Sequence, residues 1–296
     1  MTHPATAANG SERPIALIAA GIGWGAALAA CERGPAAVLE RGLVNSLEEQ
    51  GVSVASVTSV DAEPLMGGEQ PADVEAVIMA HAAGVAGAVA SAVSNGQFPV
   101  TIGGDHTTAI GHYAGLSAAC GPLGVIWVDA HPDLNTPETS PSGNIHGMVL
   151  SGVLGQGSPA MRAATAVCEI SSERVTIVGA RSIDAGEQAF IDEHGVRCVT
   201  QDEVASGGLA AALEEAVTRA GDAFGLTVDL GVIDPSQAPF VSTPVAGGLD
   251  LDTLRDALRA MPHRDRLCGL EVAEIADVGD MAVARDMVAA IIAASV

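Results

Sequence analysis

Eight apolar runs of strand length punctuate the chain, at residues 15–19, 52–57, 98–102, 124–128, 175–178, 196–199, 224–228 and 267–272. Strands that are apolar almost throughout need cover on both faces, and parallel sheets flanked by crossover helices provide it. Helical patterns lie between many of the runs. Residues 72–94 place Val74, Val77, Ile78, Val85, Val89 and Val93 at helical spacing and end at Asn95-Gly96, a pair suited to a left-handed stop. Segments 209–220, 251–261 and 281–294 read the same way. The pattern predicts an α/β protein of three α/β/α layers with a mostly parallel central sheet. No linker, repeat or break in composition divides it, so residues 1–296 are expected to form one domain, with 1–13 flexible.

Only 2% of the residues are aromatic against 48% hydrophobic, so the core must be built from Ala, Val, Leu and Ile. Segment 14–31 carries no charge and approaches a membrane span in length, but its apolar run gives way to Gly21, Gly23 and Gly25. A buried strand ending in a glycine loop fits it better. The five cysteines, Cys31, Cys120, Cys168, Cys198 and Cys268, are odd in number and form no CxxC pair, which argues for reduced thiols in a cytoplasmic protein. All 13 cations are arginine, so no chemistry that requires a lysine, whether a Schiff base or a P-loop, is available. With 36 acidic residues the net charge is −23, a field that repels nucleic acids and anionic membranes.

In open α/β sheets, ligands sit beyond the carboxyl ends of the strands. Three runs deliver chemistry there: 98–102 precedes Gly103-Gly104-Asp105-His106, 124–128 precedes Asp129-Ala130-His131-Pro132-Asp133, and 224–228 precedes Asp229. In an extended segment Asp129, His131 and Asp133 face one side, since residues two apart do. Carboxylates and imidazoles without thiolates suit manganese or an ion of similar hardness. Unless cations lay between them, such carboxylates would repel one another. Two metals bridged by a carboxylate and a water form a known hydrolytic arrangement.

These strand-end blocks resemble the ureohydrolases, and arginases more than agmatinases. The resemblance runs from about Ile15 to Glu274 through GWGAALAACERGPAAVLERGL, GGDHTTAIG, WVDAHPDLNTPETSPSGNIHGM, GARSIDAGE, DPSQAP followed by STPVAGGL, and GLEVAEI. It implies two manganese ions, the first held by His106, Asp129, Asp133 and Asp229, the second by Asp129, His131 and Asp229, with Asp129 and Asp229 bridging. His146 would transfer the proton, Glu274 would pair with the guanidinium of a small cationic guanidino substrate, and Asp133 would also orient the attacking hydroxide. Asn135, Ser142 and Asn144 match positions around an α-carboxylate, Asp184 and Glu187 those around an α-amino group, and Thr243 a further pocket position. An arginine-type L-α-amino acid is thus favoured over agmatine or guanidinobutyrate, with L-ornithine as product. The resemblance further implies a homo-oligomer, a trimer or hexamer, and no nucleic-acid or membrane partner.

One position departs from the family pattern. The family's Asp-Val-Asp-Gly-Leu-Asp-Pro reads here Asp229-Leu230-Gly231-Val232-Ile233-Asp234-Pro235, so Gly231 stands where the second metal would take a carboxylate. Three outcomes are open: a metal-impaired relative that binds arginine without turnover, an arginase with water filling the gap, or a site in which a substrate atom approaches the under-coordinated metal. An N-hydroxylated guanidine offers such an oxygen. In this the chain resembles the specialised branch that hydrolyses Nω-hydroxy-L-arginine to L-ornithine and hydroxyurea in D-cycloserine biosynthesis, an antibiotic pathway.

Overall fold

The computed structural model describes residues 13–64 and 71–296. All eight apolar runs form strands: β1 (Ile15–Gly21), β2 (Val54–Asp61), β3 (Phe98–Gly103), β4 (Gly124–Val128), β5 (Val175–Ala180), β6 (Arg197–Thr200), β7 (Phe224–Asp229) and β8 (Leu267–Ala273). They make one sheet in the order β2-β1-β3-β8-β7-β4-β5-β6, and every pairing is parallel. Strand β2 starts and ends later than its apolar run. It lies at the sheet edge, half exposed, and pairs with β1 as far as Asp61, so polar Thr58 and Ser59 belong to it as readily as valines. An edge strand has solvent on one side and loses the continuous apolar signature.

Among the described residues, eleven helices cover the sheet: α1 (Gly34–Glu40), α2 (Leu43–Glu49), α3 (Val74–Ser94), α4 (Thr108–Cys120), α5 (Val149–Val153), α6 (Pro159–Ala164), α7 (Ala185–His194), α8 (Gln201–Gly207), α9 (Leu209–Ala220), α10 (Leu251–Ala260) and α11 (Met281–Ser295). Apolar side chains of α1, α2 and α8–α11 pack on one face, those of α3–α7 on the other, which makes three layers. With few aromatics, close packing depends on small residues. A Cβ on Gly111 of α4 would sit 2.4 Å from the carbonyl oxygen of Ala82, so the α3–α4 contact is set by backbone approach. Helix α3 is long and apolar enough to cross a membrane, and here Ile78, Ala82, Val85 and Val89 are buried on its inner side. Segment 14–31 is β1 and the loop after it. The five cysteines are free. Of the residues expected to be flexible, 1–12 lie outside the described residues; Arg13 donates from Nη2 to the Leu267 carbonyl at 3.1 Å.

Because all strands run the same way, their carboxyl ends share one edge. The four central strands, β3, β8, β7 and β4, end there side by side, and the loops after them carry the chemistry.

Candidate active site

His106 lies at the centre. It follows β3 and is fully buried, its ring stacked on Trp127 of β4 with centroids 4.4 Å apart and planes 13° from parallel. Its Nδ1 sits 2.9 Å from Asp133 Oδ2, 3.0 Å from Asp229 Oδ2 and 3.4 Å from Asp129 Oδ2. Trp127 Nε1 donates to Asp129 Oδ2 at 3.1 Å, and the His131 N–H donates to Asp129 Oδ1 at 2.9 Å. His131 Nδ1 lies 3.7 Å from that Oδ1, on the more open side of the cage. The convergence of Asp129, His131 and Asp133 arises differently from simple alternation. The strand ends at Val128, and Asp133 takes φ +53°, a left-handed conformation that turns its carboxylate back toward His106. Such backbone strain in a non-glycine residue collects at functional sites.

The cage is electrostatically unfinished on its own. Burial and the neighbouring Asp129 push Asp229 up to about 7, and the same two causes raise Asp133. Burial works against charge on His106, but the three aspartates outweigh it and hold its pKa well above the ordinary value. Asp129, raised by burial, is pulled below the usual carboxylate range by His106 and His131. Neither ring nitrogen of His106 has a hydrogen bond of acceptable geometry, although buried polar atoms are almost always satisfied. Three buried carboxylates around an orphaned imidazole nitrogen fit a hard divalent cation, and His106, Asp129 and Asp133 place ligand atoms within 4.8 Å of one another. On the far side His106 Nε2 faces Glu271 Oε2 at 3.9 Å, a buried carboxylate held by Thr108 at 2.7 Å and Thr227 at 2.9 Å. A carboxylate behind a ligating histidine orients it.

The loop after β8 adds Glu274, again with a positive φ, +65°. Its Oε1 accepts from the His106 N–H at 2.9 Å and lies 2.9 Å from His146 Nδ1; its Oε2 accepts from Ser242 Oγ. Burial opposes charge on His146, yet Glu274 prevails and raises its pKa to about 9. The glycine loop after β1 completes this side. Asp105 accepts from the Gly25 N–H at 2.7 Å, and the Gly25 carbonyl accepts from the His146 N–H at 3.1 Å, so one peptide ties two strand-end loops together.

The remaining expected site residues come from the segments that follow β4, β5 and β7. Asn135 Nδ2 donates to Asp184 Oδ2 at 2.9 Å. Ser142 is exposed and accepts from the Asn144 N–H at 3.1 Å within its own turn. Glu187 is buried, and both oxygens accept backbone N–H groups, from Leu134 at 3.2 Å and Asp184 at 2.8 Å; burial and then Asp133 raise it to about 8. Thr243 lies beside Gly231, its carbonyl oxygen 3.8 Å from where a Cβ on Gly231 would stand. Gly231 itself is buried, and its N–H donates to Asp229 Oδ1. Sequence patterns alone do not single out Trp127, Glu271, Asp105 or Ser242. Glu271 carries a usable signal, a lone carboxylate inside an apolar strand run, since a buried charge needs partners.

Comparison with known proteins points the same way. The family described as Arginase family matches residues 13–296. Arginase from Bacillus caldovelox is 36% identical over 277 residues, spanning 90% of this chain and 92% of that one. The crystal structure of arginase from Bacillus subtilis superposes with a TM-score of 0.84 at 32% identity, covering 94% and 98% of the two chains. Arginase from Entamoeba histolytica, solved with L-ornithine, gives a TM-score of 0.84 at 27% identity over 94% and 97%. With this fold, these strand-end carboxylates and these relatives, the chain belongs to the arginase family and is a hydrolase of the C–N bonds of linear amidines.

Proposed function

We propose that the protein is a manganese-dependent amidinohydrolase of an arginine-type L-α-amino acid, Nω-hydroxy-L-arginine or L-arginine, releasing L-ornithine with hydroxyurea or urea. The observation that carries this reading is the buried cage of Asp129, Asp133 and Asp229 around His106, with Glu274 and His146 alongside. One ion would be held by His106, Asp129, Asp133 and Asp229, and a second by Asp129, His131 and Asp229, where Gly231 supplies no ligand. Bound divalent ions supply an acidified water for attack and positive charge opposite the charge that develops on the substrate. Asp133, at the cage wall, would orient that water. His146 Nδ1 is tied to Glu274, which leaves Nε2 to carry the proton. Its raised pKa keeps that proton available at neutral pH for the leaving δ-amine as the bond to the guanidino carbon breaks. Asn135, Ser142 and Asn144 would meet the α-carboxylate, and Asp184 and Glu187 the α-amino side, with Thr243 closing the pocket. The L-ornithine bound to the Entamoeba arginase supports an α-amino acid product. The protein would act in the cytoplasm as a trimer or hexamer.

Gly231 favours the N-hydroxylated substrate over plain arginine, since a vacant ligand position leaves room for a substrate oxygen. The test compares release of urea and hydroxyurea from L-arginine, Nω-hydroxy-L-arginine, agmatine and guanidinobutyrate by the manganese-loaded protein. Preferred turnover of the two α-amino acids is expected; preference for agmatine or guanidinobutyrate, or no turnover of any of them, would overturn the assignment.

A further inference from the structure

Glu274 has less accepting capacity left than a guanidinium-binding carboxylate requires. An ionised carboxylate has about four lone-pair positions, two on each oxygen, and cannot donate. Oε1 already meets the His106 N–H and His146 Nδ1, each at 2.9 Å, which occupies both of its positions. Oε2 accepts from Ser242 Oγ. One position remains. A guanidinium that pairs with a carboxylate through two parallel N–H groups needs a free lone pair on each oxygen.

The Ser242 hydroxyl is itself held in place. Its only proton goes to Glu274, so toward any other neighbour it can only accept. The fully buried Cys31 lies on the same side of the site, and burial together with Glu274 and Asp105 keeps its thiol protonated.

We infer that Ser242 is a specificity-determining residue: by engaging Oε2 it confines Glu274 to one further hydrogen bond, so the site accepts a guanidino group through a single contact instead of a two-pronged one. An unsubstituted guanidinium loses the second prong. An N-hydroxyguanidine is less basic, needs only one N–H on Glu274, and has an O–H that can donate to the lone pair left on Ser242. This deepens the amidinohydrolase reading and rests on it, with Glu274 as the partner of the guanidino group that the family resemblance implies.

The test uses manganese-loaded wild type, Ser242→Ala and Ser242→Thr. Each is assayed with L-arginine and Nω-hydroxy-L-arginine and titrated by calorimetry with guanidinium chloride. Removing the hydroxyl frees Oε2, so Ser242→Ala should shift the ratio of kcat/KM toward L-arginine by about tenfold, the size of one charge-assisted hydrogen bond at its weaker end, and tighten guanidinium binding similarly. Ser242→Thr keeps the hydroxyl and should match wild type in both readouts, while manganese content stays the same in all three. A ratio and a guanidinium affinity that remain within about twofold of wild type in Ser242→Ala, or an equal shift in Ser242→Thr, would overturn the inference. Wild type that hydrolyses neither amino acid would instead overturn the amidinohydrolase reading, and the guanidinium titration would still decide whether Ser242 limits Glu274.

Discussion

At the scale of single residues, the proposed roles separate groups that would hold cations from one that would move a proton. Asp129→Asn or Asp229→Asn removes charge from the cage around His106 Nδ1 and should abolish both metal binding and turnover. His146→Asn should cut kcat by between about 10²- and 10⁴-fold with metal content unchanged, because its Nδ1 contacts Glu274 and not the cage. Loss of metal in that variant, read by elemental analysis, would contradict the role given to it. Gly231→Asp addresses the departure from the family pattern. A Cβ there would stand 2.8 Å from Asp229 Oδ1, so that oxygen must shift, while the nearest backbone atom met is the Thr243 carbonyl oxygen at 3.8 Å. Tighter binding of the second manganese and a shift of preference toward plain arginine are expected; an unchanged substrate ratio would remove any functional role from the glycine. The expected ligands are legible in sequence because each comes directly after a strand. Trp127 and Ser242 are not: the first reads as core and the second as loop, and only the folded geometry puts an indole N–H on Asp129 and a hydroxyl on Glu274.

At the scale of elements, what matters is how the loops after neighbouring strands are held in register. Arg181, just past β5, donates to the carbonyls of Gly231 at 2.8 Å, Val232 at 3.1 Å, Val245 at 2.7 Å and Ala246 at 3.2 Å. It clamps the loop after β7, which carries the metal-side Asp229 and Gly231, to the segment beyond Thr243. Arg181→Met leaves the buried Gly231 carbonyl without its donor, while the Val232 carbonyl keeps the Leu249 N–H at 2.9 Å, and should lower unfolding free energy by about 1–3 kcal/mol, measured by urea denaturation. The β3–α4 unit has its own pH signature. His112 is fully buried, bonded through Nδ1 to Thr101 Oγ1 at 2.8 Å, and burial pushes its pKa from 6.5 down to about 3. Below pH 6.5 the unfolded chain takes up a proton that the folded one refuses, so His112 contributes nothing against stability above that pH and destabilises increasingly as pH falls toward 3, by about 1.4 kcal/mol per unit. Comparing wild type with His112→Gln, the difference in unfolding free energy should be flat above pH 6.5 and turn against wild type below it. Strand positions are legible closely wherever both faces are covered. At β2, on the edge, the run and the strand part company, because exposure removes the continuous apolar signal.

For the whole molecule, a net charge of −23 acts at two ranges. Close in, part of that acidity is turned inward as the buried constellation of Asp129, Asp133, Asp229, Glu271 and Glu274, which fits the dication and the cationic substrate proposed above. Farther out, the acidic surface field would draw the proposed cationic substrate toward the strand ends. Raising ionic strength from about 0.01 to 0.15 M shortens the screening length from about 30 to 8 Å, so kcat/KM should fall with salt while manganese content holds. The parallel sheet is legible from the apolar runs together with four of the helices that cover it, and the candidate metal cage from the residues just past the strands' carboxyl ends. The interplay of Glu274, His146 and Ser242 is not, because it joins side chains 128 and 32 residues from Glu274 that no strand-end motif links. Metal stoichiometry measured together with turnover tests the two-metal amidinohydrolase assignment most directly. Purified protein loaded with manganese and desalted should retain close to two ions per chain and release urea or hydroxyurea from an arginine-type amino acid; protein that retains no manganese and releases neither product would contradict it.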